Sequence, residues 1–188
     1  MAMHGDTEGS FFIWHSVPAV VVGRNQSTDP LLNLDFCRRH GIGIYRRKSS
    51  GEQFYVEPQN MVLSHVTRSE GDNRLFPQYL NALIAIFQRN GIDALPAHGN
   101  DIMMGDRTMC RNASYRTHGS NVVHGQLHYN TNLFQMVGTT TPAHAADLGR
   151  GVSDAYRQLV QLKDLVGMSQ DAFEHYLANH LCDDVLTL

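Results

Sequence analysis

Hydrophobic positions along this chain fall into two rhythms, short apolar runs that suit strands and three- to four-residue repeats that suit helices. "FFIWHS" (11–16) and "AVVVGRN" (19–25) are apolar, β-branched runs separated by Val17 and Pro18, which predicts two strands joined by a turn at the start of the sheet. Asp29 as N-cap, Pro30 at the first helical position, an apolar face through Leu31 and Leu34, and Gly41 as the stop predict a short amphipathic helix. "IGIYRR" (42–47) and "QFYV" (53–56) flank Ser49, Ser50, Gly51 and Glu52, a spacing that predicts a hairpin with Gly51 at positive φ. "NMVLSHV" (60–66) is a further strand.

Between 73 and 90 the apolar residues Phe76, Tyr79, Leu80, Leu83, Ile84 and Phe87 recur at helical spacing, and Gly91 closes the helix. "DIMM", "RTMCRNASYR" and "NVVHGQLHYN" then predict successive strands around turns at Gly105–Asp106 and Gly119–Ser120. The stretch 139–150 reads as loop. Two helices over 154–163 and 171–181 follow, the second capped by Ser169 and apolar through Phe173, Tyr176, Leu177 and Leu181. The fold class is α+β, a mixed, largely antiparallel sheet with packed helices.

Composition narrows the function classes. A chain of 188 residues, 42% hydrophobic, suits one core, so residues 1–188 are read as a single domain. Fifteen basic residues against 18 acidic give a formal charge of -3, which offers no global field for nucleic acid or an anionic membrane, so any anion site must be local. Cys37, Cys110 and Cys182 are widely spaced and form neither a disulfide framework nor a zinc cluster, and no targeting or membrane-length segment is evident. A cytoplasmic setting fits. Only Lys48 and Lys163 are lysines, which restricts any mechanism that requires one.

The order of the motifs "VVVGRNQS", "RRKSSGEQFYVEPQNMVLSH", "NDIMMGDRTMCRNASYR" and "HGQLHYNTNL" resembles the catalytic domain of the lipoate-protein ligase A family, grouped with biotin protein ligases and octanoyltransferases. The similarity runs from about 11 to 134, and "LVQLKDLVGMSQDAFEHYL" looks like the family's closing segment. It implies an N-terminally short domain with no accessory C-terminal domain. It also implies ATP with Mg, a lipoyl- or octanoyl-adenylate, and a lipoyl-acceptor domain as partner. In the family the second motif typically reads Arg-Arg-x-Ser-Gly-Gly-Gly-x-Val-Tyr-His-Asp, a glycine-rich turn whose amides approach the adenylate phosphate. Here two of those glycines are Ser50 and Glu52, and the His-Asp pair is Val56 and Glu57. A carboxylate at Glu52 would face the same anion.

The third family motif, Asp-Gly-Arg-Lys-Ile-Ser-Gly-Asn-Ala, matches Gly105 to Ala113, which places Thr108 at the lysine that contacts the acyl carbonyl and phosphate. A threonine hydroxyl does not replace that charge. The resemblance implies ligand contacts from Arg47, Ser50, Gly51, Glu52, Gln53, Phe54 and Tyr55 in the second motif. It implies more from Asn100, Asp101, Asn112 and Ala113 in the third and from His124 in the fourth. Cys110 does not match the octanoyltransferase nucleophile and reads as a buried small hydrophobe. His124 and His128 have HxxxH spacing, but in a strand containing Gly125 and without a carboxylate, so no metal is assigned. Two functions follow: a ligase activating lipoate or octanoate with ATP, impaired by Thr108 and Glu52, or a non-catalytic acyl- or nucleotide-binding module on the same fold.

Overall fold

The computed structural model describes residues 9–27, 32–48, 53–68, 75–97, 101–117, 119–140 and 145–186. Two sheets organise them. The larger is antiparallel throughout, in the order β1 (Ser10–Trp14), β5 (Asn60–Thr67), β9 (Ser120–His128), β8 (Arg107–Thr117), β7 (Ile102–Met104), β6 (Leu95–Pro96). The smaller has β2 (Ala19–Val22) at its centre, between β3 (Gly43–Arg46) and β4 (Phe54–Val56).

One face of the larger sheet carries the main core. Met61 and Leu63 on β5, Leu127 on β9, Cys110 on β8 and Ile102 on β7 are fully buried beneath two helices. Helix α2 (Leu75–Arg89) contributes Tyr79, Leu83, Ile86 and Phe87, and helix α6 (Gln170–Leu186) contributes Phe173, Leu177 and Leu181. All of these except Ile86 are positions whose spacing predicted the helices, and Ser169 Oγ accepts from Ala172 N at 3.3 Å as the expected cap. The predicted class, a largely antiparallel sheet with packed helices, is the observed one.

Connectivity departs from the sequence reading in four places. First, β1 and β2 are consecutive but belong to different sheets, so Val17–Pro18 is a corner between sheets. Second, β3 and β4 form no hairpin: they lie on opposite sides of β2, β3 parallel to it and β4 antiparallel. The parallel pairing arises because α1 (Leu34–Arg39) makes a helical crossover between β2 and β3, and Gly41, at φ 65, turns the chain back at its end. Residues 49–52, the expected hairpin loop, lie outside the described residues. Third, α1 begins later than expected: Asn33 Oδ1 accepts from Phe36 N at 3.0 Å as the cap, while Asp29, Pro30 and Leu31 lie outside the described residues. With that start the buried face is Phe36 and Cys37, and Leu34 faces solvent.

Fourth, 139–150 is not all loop. Helix α3 (Leu133–Gly138) precedes it and α4 (Ala145–Gln158) begins within it. In α3, Gly138 permits close packing on α1: a Cβ there would strike the Phe36 ring. Helix α4 stops before Lys163 because the next backbone groups are drawn to β8, with Val160 N donating to Thr108 O at 2.8 Å and Arg107 donating to Leu159 O. Lys163 instead starts the short α5 (Lys163–Val166).

Two core histidines give this packing a pH signature. His65 stacks on Phe11 at 4.1 Å between centroids, and His128 Nδ1 lies 2.8 Å from Thr131 Oγ1. Burial lowers both to about 4, with Arg111 adding to the effect at His128. In the unfolded chain both protonate near 6.5, so their contribution to stability is full above that pH and is lost as pH falls towards 4. Glu57, raised by burial, acts in the opposite sense. Urea unfolding between pH 7.5 and 5 is expected to show a loss of about 2 kcal/mol per histidine, starting well above the carboxylate range. A flat profile to pH 5 would contradict this placement of His65 and His128.

Candidate functional site

Where the smaller sheet meets the face of the larger sheet opposite α2, the two enclose a cleft of about 360 Å³. Alternation along the strands decides which side chains enter it. On β9 and β8 the paired residues His124 with Ala113, and Gln126 with Arg111, form the floor, and Val62, opposite Gln126 on β5, extends it. Their neighbours Cys110 and Leu127 point the other way, into the core.

The smaller sheet supplies the opposite wall. Arg47 follows β3, its backbone N donating to Val22 O at 3.0 Å and its guanidinium to Val21 O at 3.3 Å. That guanidinium lies 5.1 Å from the centroid of the Phe54 ring, a cation–π contact that orients it. Gln53 accepts from Gln26 Nε2 at 2.5 Å, which ties the wall to the loop after β2. Arg46 does not enter; it donates to the carbonyls of Gly23, Arg24 and Gln26 and braces the same loop. Asp101 Oδ1 accepts from Asn112 N at 3.4 Å, while the Asn112 side chain turns to the core face, its Oδ1 accepting from Cys110 Sγ at 3.2 Å.

Arg47, Gln53, Phe54, Asp101, Asn112, Ala113 and His124, distant in sequence, thus line one cleft. Tyr55 does not: Phe54 faces the cleft, so its neighbour on β4 faces away and donates from its hydroxyl to Gln135 Oε1 at 2.6 Å. Burial, with the nearby Glu57 charge, pushes its phenol well up. Thr108 does not line the cleft. It lies beyond a register shift between β7 and β8, its carbonyl engaged by Val160, and Arg107 beside it is held on Leu159 O at 2.6 Å. Ser50, Gly51, Glu52 and Asn100 lie outside the described residues. Sequence reasoning missed Val62, Arg111 and Gln126 as lining residues; period two from Ala113 and His124 marks Arg111 and Gln126, whereas Val62 needs the pairing of β5 with β9.

Electrostatically the described lining is cationic, with two guanidinium groups against the single carboxylate of Asp101. Burial, and then the Arg47 charge, hold His124 below the usual imidazole range, so it is neutral at pH 7. Its buried Nε2 has no hydrogen-bond partner among the described residues, which leaves a polar atom for a ligand. No cluster of three or more His, Cys, Asp or Glu that could hold a metal is present among the described residues. The arrangement suits an anion with an apolar extension, held between Arg47 and the floor beside Phe54 and Val62.

This fold and cleft define a class. The sequence matches the lipoyl protein ligase A/B catalytic domain family over residues 1–182, and the chain belongs to that family. It is similar to lipoate-protein ligase LplJ of Bacillus subtilis (strain 168), at 23% identity over 182 residues, covering 95% of this chain and 55% of that protein. Among solved structures it superposes on the bi-partite lipoate protein ligase of Thermoplasma acidophilum with a TM-score of 0.82 at 18% identity, covering 96% of this chain and 73% of the other. A lipoate-protein ligase A bound with ATP gives a TM-score of 0.78 at 20% identity, covering 93% and 72%. These likenesses establish the fold. The chain spans about half the length of the curated relatives it matches.

Gly125 sits where β9 passes under the core residues next to the cleft. A Cβ there would meet Asn112 Oδ1, Tyr79 Oη at 2.5 Å and Cys110 Sγ at 3.0 Å. Gly125→Ala is expected to destabilise by about 1–3 kcal/mol through overpacking. Gly149→Ala, in α4 with open space around it, should be neutral or slightly stabilising. Equal melting temperatures for the two variants would show that the floor is not packed as described.

Proposed function

We propose that this chain is a lipoate-protein ligase-type catalytic domain that holds an acyl-adenylate in its cleft and passes the acyl group to a lysine of a lipoyl-acceptor domain, with the ATP-dependent activation step impaired. The observation that carries it is the convergence of Arg47, Asn112, Ala113 and His124 on one cationic cleft in a chain of the lipoyl protein ligase A/B family.

In the first half-reaction a lipoate or octanoate carboxylate oxygen attacks the α-phosphorus of ATP. The bond from that phosphorus to the bridging oxygen breaks, and pyrophosphate leaves. In the second, the acceptor lysine amine attacks the acyl carbonyl carbon, the carbon–oxygen bond to AMP breaks, and the lysine proton is released as the amide forms. Arg47 would face the phosphate in both, with Phe54 fixing the guanidinium plane, and neutral His124 can hydrogen-bond the adenylate or accept a proton. Asp101 is the one carboxylate among the described lining residues, a donor set that suits Mg2+ only together with nucleotide phosphates. Mg2+, when bound, would offset phosphate charge.

Impairment is inferred from Thr108. It has no charge at the family lysine position, and its backbone is committed to Val160. Loss of one preorganised charge donor costs on the order of 10²–10³ in rate. The same feature favours the second reading, a binding module without catalysis. The acceptor, the acyl chain and a cytoplasmic setting belong to the proposal.

The test follows an apo lipoyl domain by mass, with either ATP plus lipoate or octanoate, or pre-made lipoyl-adenylate. Transfer from the adenylate is expected to be about 10²–10³-fold faster than the ATP-dependent route and to be lost in Arg47→Ala. Comparable rates by the two routes would refute impairment. Binding of the adenylate without any transfer would leave the non-catalytic module.

A further inference from the structure

Both glycine-rich family motifs have lost glycines here, and one of the replacements lies in the cleft. Arg111 occupies the position of the glycine in Ser-Gly-Asn-Ala, directly before Asn112 and Ala113. Strand alternation turns its side chain to the cleft floor, opposite Gln126 and on the same face as Ala113 and His124. Arg107, the other arginine near the empty lysine position, is committed to Leu159 O and is absent from the cleft. The family lysine position, Thr108, thus lies outside this cleft, while three residues along the same strand Arg111 places a cation inside it.

We propose that Arg111 is a ligand-binding residue of this cleft, supplying from the floor the second positive charge on the adenylate phosphate, opposite Arg47. The inference rests on the acyl-adenylate reading above and adds a second cationic residue to its site. Guanidinium groups on the floor and on the facing wall suit the phosphate of a mixed acyl–phosphoric anhydride, whose negative charge is shared by two non-bridging oxygens. The position matters physically: a floor arginine is fixed by a β8–β9 pair whose partner Gln126 donates to the Tyr55 carbonyl, so its backbone is anchored on the cleft floor. The charge of Arg111 also acts on His128, two residues along β9 from its partner Gln126. An arginine placed here only for solubility would leave ligand affinity unchanged when removed.

The experiment is calorimetric titration of the full chain with three probes: a phosphonate analogue of lipoyl-adenylate that keeps the negative charge, ATP, and lipoate. The variants are Arg111→Ala, Arg111→Gln and Arg111→Lys, with Arg116→Ala on the same strand as control and melting temperature as the check on folding. Arg111→Ala and Arg111→Gln are expected to weaken the analogue about ten- to a hundredfold. Arg111→Lys should lose less, and Arg116→Ala nothing. Unchanged affinity in Arg111→Ala and Arg111→Gln, with the unaltered chain binding normally, would overturn the proposal and leave the adenylate reading standing. A loss equally large with lipoate alone would move Arg111 to the acyl carboxylate and overturn the phosphate assignment. Failure of the unaltered chain to bind the analogue would remove the adenylate reading and the proposal with it.

Discussion

The backbone carbonyl of Tyr55 is where the two sheets are joined. It accepts from Asn60 Nδ2 of β5 at 3.1 Å and from Gln126 Nε2 of β9, so one oxygen on the smaller sheet satisfies a buried donor from each of two central strands of the larger. Around it, Asn60 accepts from Thr131, Thr131 N donates to Gln161 Oε1 at 2.9 Å, and Glu57 accepts from Asn132 N at 2.5 Å. Ala19, Val56 and Val62 pack dry beside these bonds. Buried polar groups of this kind are costly when unmatched and specific when matched, so the junction fixes the angle and height at which β4 sits over β9. Every cleft distance depends on that.

One consequence is that Arg47 and Arg111, from different sheets, face a common volume although the chain as a whole is acidic. Charge that would be screened on an open surface acts more strongly between two walls, and the same geometry keeps His124 neutral. The cleft has retained a cationic character while the family lysine position has become Thr108. The cation that β8 turns to this floor is Arg111, paired with Gln126 and on the same face as Ala113.

Much of the core and most of the site were legible from the sequence, for a common reason. Helices α2 and α6 declare themselves because periodicity is a local property, and Phe173, Leu177 and Leu181 occupy the face their spacing requires. The cleft residues were reached through motif order, which survives where identity to relatives is low. What failed was pairing. Nothing local distinguishes a hairpin from two strands flanking a third, and so β3 and β4 were joined in expectation, with β2 between them in fact. Helix α3 and the start of α4 were hidden by Gly138, Gly149 and a threonine run, whose low helix propensity is overridden by packing against Phe36 and Ala155. Arg111 was not assigned to the ligand because the family has a glycine there, with no side chain to carry over.

The junction of the two sheets builds an anion-receiving cleft in which His124 lies within the field of Arg47. The direct measurement is an NMR titration of the His124 imidazole, assigned with His124→Gln, in the free protein and with a bound lipoyl-adenylate analogue. The account predicts a value below the ordinary imidazole range in the free protein, and a rise on binding as the ligand's negative charge offsets Arg47. An ordinary value in the free protein, unmoved by saturating ligand, would contradict it.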